Sequence, residues 1–244
     1  MKKLALFALA VAFASCNKAE TILSVQHNFE LSNKSESSSF SLTATDPSNS
    51  DNPFDEIGRV HNQLFDTYFA NTTHDKSVAG IATEVEMIAS ANHAFQNIHG
   101  AGTNRNTMAN LQSLVGNEIT AVSDAISKSS ISQYAKASLQ DFCSKVITLN
   151  SSVDDFAPLY TLIKNYEVQT LQDNELTPVE KEKILTVTSI TRYSTYKGKK
   201  KPKKNTDSDW DMMIFGLAGS IGGAENSPAE AIVNALSAKI LQNK

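Results

Sequence analysis

The sequence predicts an all-α fold: an antiparallel helical bundle of about six helices with a C-terminal helical hairpin, preceded by a disordered tether. Three observations predict it. Between residues 52 and 196, apolar side chains recur at intervals of three and four, the period of a helix with one buried face. Asn52, Thr177 and Ser227 are each followed by proline, the order that opens a helix. Glycine is sparse between 52 and 196, and no alternating apolar and polar run persists there as a strand would require.

The chain begins Met1, Lys2, Lys3, continues uncharged through 4–13, and reaches Ala14, Ser15 and Cys16. A basic start, a short apolar stretch and small residues before a break make a secretory signal, here 1–15. The apolar stretch is about half of the ~20 residues a spanning helix needs. Phe13-Ala14-Ser15-Cys16 resembles a lipobox, where a signal peptidase cuts ahead of a diacylated cysteine. Cys16 is therefore the expected lipidation site, and buried acyl chains at ~0.8 kcal/mol per CH₂ make such an anchor stable. Loss of 1–15 leaves 20 basic against 26 acidic residues, a net charge of −6. Nucleic-acid binding wants a basic face and is not expected. With Cys16 acylated, Cys143 has no partner, and it reads as a small buried hydrophobe in an apolar helical pattern.

Residues 16–51 read as a lipidated, flexible tether rich in serine, asparagine and threonine, too polar to offset its ordering entropy. The pattern changes at Asn52, a candidate N-cap with Pro53 and Asp55 behind it. Ile57, Val60, Leu64, Phe65 and Tyr68 then share one stripe. Further helices are expected over about 75–98, 105–127, 131–149, 153–172 and 177–196. Thr177-Pro178-Val179-Glu180 reads as a capping box that opens the last of these. Short connections make neighbours antiparallel, so 52–196 is one bundle. Six lysines fall in the eight residues 197–204, and 197–208 reads as a Lys-rich linker, either a solvated loop or a contact for anionic lipid. The last segment, 209–244, pairs a Gly-spaced apolar stretch with a helix opened by Ser227, Pro228 and Glu230.

Asn52-Pro53-Phe54-Asp55, Gly58 and His61-Asn62 resemble the opening of a family of uncharacterised secreted proteins and lipoproteins of Bacteroidota. There, N-P-[aromatic]-D-x-[I/V]-G-x-x-H-N begins the mature helical domain. In that family a glycine-rich stretch closes the chain behind a Trp-Asp pair, matched here by Trp210-Asp211 and Gly216, Gly219, Gly222 and Gly223. The resemblance covers these two stretches and brings no biochemical activity with it.

His61 falls on the apolar face between Ile57 and Leu64, beside Gly58. It is either a core histidine with a hydrogen-bond partner or part of a small polar site of Asp55, His61 and Asn62. Asp55 and Asn62 are seven apart and share a helical face. Gly58, Gly216, Gly219 and Gly222 are candidate positions of close helix packing. His27, His61, His74, His93 and His99 are scattered, and no spacing marks a metal site. No nucleophile elbow, phosphate loop or dinucleotide fingerprint is present, so no catalytic residue and no cofactor is assigned. The leading expectation is a non-enzymatic binding or scaffold module of the cell envelope, held to the outer membrane by its lipid, with any protein partner undefined. The rivals are a membrane-active or toxin-like protein using the Gly-spaced tail, where small residues let helices pack in lipid, and an envelope hydrolase with an unrecognised site.

Overall fold

Short polar side chains open several of the helices. The computed structural model describes residues 46–103, 105, 107–115, 119–200 and 209–242, the side chains of 209–212 excepted. Cys16, the tether through 45 and the lysine-rich stretch 201–208 lie outside the described residues. Within them the chain forms α1 (Asp55–Ala70), α2 (Val78–Ala91), α3 (His93–Gln96), α4 (Thr107–Leu114), α5 (Ala121–Lys128), α6 (Gln133–Ser152), α7 (Phe156–Gln172), α8 (Pro178–Lys200), α9 (Asp209–Ala224) and α10 (Pro228–Gln242). The fold is an all-α bundle with a C-terminal helical hairpin, and no strand occurs among the described residues.

Ser77 Oγ accepts from Gly80 N to open α2, and Ser132 Oγ from Ala135 N to open α6. Thr177 and Glu180 close a reciprocal box: Glu180 N donates to Thr177 Oγ1 at 3.3 Å, and Thr177 N donates to Glu180 Oε2 at 2.8 Å. The other Glu180 oxygen accepts from Ser132 N at 2.7 Å, tying the start of α8 to the start of α6. These bonds hold the Glu180 carboxyl down at about 2. At α10 only half of the expected box forms. Ser227 Oγ accepts from Glu230 N, while Glu230 turns to Asn226 and Asn110.

Two expected helices divide. The stretch 75–98 breaks at Asn92, whose side chain accepts from Phe95 N and restarts the chain as α3. The stretch 105–127 becomes α4 and α5. Asn52 does not cap α1, as the sequence reading had it. Its Oδ1 accepts from Phe54 N two residues on, forming a turn, and α1 starts at Asp55. The lysine run does not start as a linker at 197. α8 continues through Lys200, because each lysine finds a use: Lys197 pairs with Asp66, Lys199 donates to the carbonyls of Asn150 and Val153 near the end of α6, and Lys200 lies over the Tyr196 ring.

Two helices are buried nearly all round. α8, rich in hydroxyls, packs against α1, α7 and α9. Its burial is helped because several of its hydroxyls bond back into its own turns, Thr191 to Val187 O at 2.7 Å and Thr195 to Thr191 O at 2.9 Å. α10 is buried from Pro228 to Leu241. It contacts α9 along its length and also α1, α2, α4 and α8. The hairpin is thus not an appendage; its second helix lies inside the bundle.

Candidate functional site

The opening motif docks on α8. Gly58 has no side chain because a Cβ there would stand 2.4 Å from Ser189 O and 2.7 Å from Ser189 Oγ. The close approach lets Gly58 N donate to Ser189 Oγ at 2.9 Å, and Ser189 Oγ donate to Asp55 O at 3.1 Å. Two turns on from Asp55 along α1, Asn62 Nδ2 donates to Tyr193 O at 2.8 Å. Asp55 and Asn62 do share the face that the spacing predicts, and that face lies against α8.

Asp55 belongs to a buried polar network. Arg192 Nη2 donates to Asp55 Oδ1 at 2.7 Å, and Tyr193 Oη donates to Asp55 Oδ2 at 3.0 Å. Burial, reinforced by the Asp55 charge, pushes the Tyr193 phenol above its ordinary range. Arg192 Nε lies 3.3 Å from Glu167, and both side chains are 0 % exposed. Glu167 also accepts from Asn49 Nδ2 at 2.6 Å and Asn52 Nδ2 at 2.8 Å. Arg192 Nη1 donates to Pro47 O, and Tyr160 Oη donates to Ser48 O. Residues 46–54 are therefore a strap clamped across α7 and α8, and the folded domain begins ahead of the boundary expected at 52.

His61 is 1 % exposed, and the structure separates it from Asp55. Its Nδ1 lies 3.2 Å from Asn62 Oδ1, an acceptor, so Nδ1 carries the proton and Nε2 is bare. Burial, then the nearby Lys239 charge, pushes the ring down to about 3, so it is neutral at ordinary pH. His61 lines a chamber of about 40 Å³ with Ser194, Lys199, Met213 and Lys239. Lys239 Nζ donates to Ser194 Oγ at 2.8 Å. A water needs about 10–15 Å³ of such space, so the chamber has room for no more than about three. Ligand pockets run to about 300–1,000 Å³. The three candidate residues therefore divide: Asp55 and Asn62 hold α1 to α8, while His61, bonded to Asn62, borders a small and mainly apolar chamber.

The glycine assignments divide too. A Cβ on Gly219 would stand 2.5 Å from Asn234 O, and one on Gly223 2.5 Å from the Cα of Ala231. At these two, four apart, an added side chain would strike the α10 backbone. Gly216 is in ordinary contact, and a Cβ on Gly222 would meet nothing within 4 Å. Gly222 is corrected as a packing position, since six residues on from Gly216 carry it about 120° round the helix, while Gly216 keeps an ordinary contact with Ala235 O. Cys143 is fully buried, and burial pushes its thiol up to about 12. Among the described residues no cluster of histidine, cysteine or acidic side chains could hold a metal ion.

The sequence reading missed Glu167 and Arg192. Glu167 stands four residues after Ile163 on the apolar stripe of α7, and a charge at such a position is buried only when paired. That was the available signal. No protein-family model, curated protein or solved structure matches the chain.

Proposed function

We propose that this chain is a lipid-anchored protein of the cell envelope, held to the outer membrane through Cys16, whose helical domain acts by binding and not by catalysis. The anchor reading draws on the basic start, the short apolar stretch and Phe13-Ala14-Ser15-Cys16. One observation carries the binding reading: the most chemically capable groups are committed to holding the chain together. Asp55, Glu167, Arg192 and Tyr193 engage one another and the strap. A catalytic site needs such groups turned toward a reacting atom.

In this reading residues 16–45 join the lipid to the strap. Those 30 residues reach at most about 100 Å when extended. A pull on them would be resisted by the Arg192–Glu167 clamp and not by the first turn of α1 alone. The membrane-active alternative would require the hairpin to leave the core, where Phe215, Leu217, Ala218 and Ile221 are buried.

Cys16→Ala tests the anchor. The variant should lose labelling by a palmitate analogue, and either move to the soluble fraction or stay unprocessed. Equal labelling of variant and parent would remove the anchor reading.

A further inference from the structure

His61 carries one ring nitrogen that the fold does not use. Asn62 fixes the ring: its Oδ1 accepts the Nδ1 proton at 3.2 Å, and its Nδ2 is held by Tyr193 O at 2.8 Å. Nε2 is left as a lone pair with no hydrogen-bond partner among the described residues. Buried polar atoms are nearly always bonded, so this one calls for a donor. His61 is 1 % exposed, yet Nε2 is not among the unpartnered atoms that the interior seals off completely. The sliver of surface it keeps opens into the chamber of about 40 Å³ that the ring lines. Ser194 lines the same chamber. Its Oγ accepts from Lys239 Nζ at 2.8 Å, and its own proton has no acceptor among the described residues. An unused acceptor and an unused donor thus share one small space.

The charges around that space have one sign. Lys199 of α8 and Lys239 of α10 line it, and α9 contributes only uncharged residues to the described wall. Lys197 of α8 acts on His61 from farther off and is paired with Asp66 of α1. No carboxylate lines the chamber among the described residues. Ile190, Met213 and Leu217 make much of the wall apolar, and charges act more strongly in such surroundings than in water. An anion suits this field. The neutral ring does not suit an anion, because a lone pair repels it, whereas a protonated Nε2 would donate to it. Burial, then the Lys239 charge, disfavours the imidazolium, and an anion beside Lys239 offsets that charge. Room for no more than about three waters excludes an ordinary organic ligand and admits an ion of about one to three heavy atoms.

We infer that the chamber between His61, Ser194 and Lys239 binds a small monovalent anion, and that His61 Nε2 takes up a proton as the anion enters. The proton comes from solvent and forms the N–H bond that the anion accepts; when the anion leaves, the proton returns to solvent. The inference rests on the binding reading above and names a ligand class for it.

Chloride is the probe, titrated calorimetrically into the full-length Cys16→Ala chain in gluconate buffer of constant ionic strength. It should bind saturably, and roughly threefold or more tightly at pH 5 than at pH 6. The His61 ring resonances should titrate at higher pH in chloride than in gluconate. His61→Leu should remove the pH dependence. Lys239→Met should weaken binding about tenfold or more at both pH values. Ser194→Ala replaces the methionine variant if that one does not fold, and should weaken binding about threefold or more. Sulfate, too large for the space, should not displace chloride. Chloride that fails to saturate, binds equally at both pH values, leaves the ring titration unmoved or yields to sulfate overturns the assignment. So does pH dependence that survives His61→Leu, or affinity that survives the Lys239 or Ser194 change. Such a failure leaves untouched both the fractionation of Cys16→Ala and the commitment of Asp55, Glu167, Arg192 and Tyr193 to the fold, so the binding reading and its ligand fall separately.

Discussion

Arg192 and Glu167 show what a single residue can decide in this molecule. Each is fully buried, and taking a charge out of water costs several kcal/mol unless geometry and hydrogen bonds compensate. Here Asp55, Pro47 O, Asn49 and Asn52 complete the set. Removing one partner strands the other, so Arg192→Met should cost about 3–5 kcal/mol in urea denaturation. The double change Arg192→Met with Glu167→Gln should cost clearly less than the sum of the two single changes. Strict additivity would mean that the pair is not coupled. His61 makes a second expectation, with a sign. Its folded pKa of about 3 lies below the unfolded value near 6.5, so between those limits the unfolded chain holds the extra proton. Stability from this group is full above pH 6.5 and falls with pH through the window, by up to ~1.4 kcal/mol per unit. His61→Leu should flatten that slope, most visibly from pH 6.5 to 5, above the carboxylate range. Identical slopes in urea titrations of parent and variant would show that the ring is not held neutral. Asp55, His61 and Asn62 could be singled out from sequence because they cluster locally. The α8 partners of Asp55 and Asn62, Arg192 and Tyr193, stand more than a hundred residues away, and a helical period says nothing about which faces meet.

Helix starts were the most legible elements, because capping is local chemistry. Thr177 and Ser227 act within three residues of themselves and can be read from the chain, whereas Asn52, read the same way, closes a turn ahead of α1. The divisions were not legible. The apolar phase runs across Asn92 from Ile88 to Phe95, so periodicity alone fuses α2 and α3. The glycines of α9 likewise read as one series, yet only some face α10. Their roles separate in melting experiments. Gly219→Ala and Gly223→Ala drive a Cβ into the backbone of α10 and should each cost about 1–3 kcal/mol by overpacking. Gly222→Ala meets open space and should gain up to about 1 kcal/mol from helix propensity. Equal effects at Gly219 and Gly222 would refute the four-residue contact face.

The whole molecule is organised around its last helix. α10 carries Glu230, Asn234 and Ser237, which in sequence look like one solvated face, and Lys239 opposite them, so a central position could not be read from its pattern. Its alanines, 229, 231, 235 and 238, supply the reason it fits there: small side chains on several sides let α1, α2, α4, α8 and α9 all approach. Residues 228–241 are all buried, so a chain without them exposes the inward faces of those neighbours to water. Such a loss exceeds the marginal stability of about 5–15 kcal/mol that domains possess. A chain ending at residue 204 should therefore lack a cooperative melt, keep part of its helical far-ultraviolet signal and bind a hydrophobic dye, as loosely packed states do. The contrary result is equally informative. A cooperative transition at the parent's temperature would mean that the first eight helices close their own core, that α10 rests on them from outside, and that the hairpin is free to act on membranes.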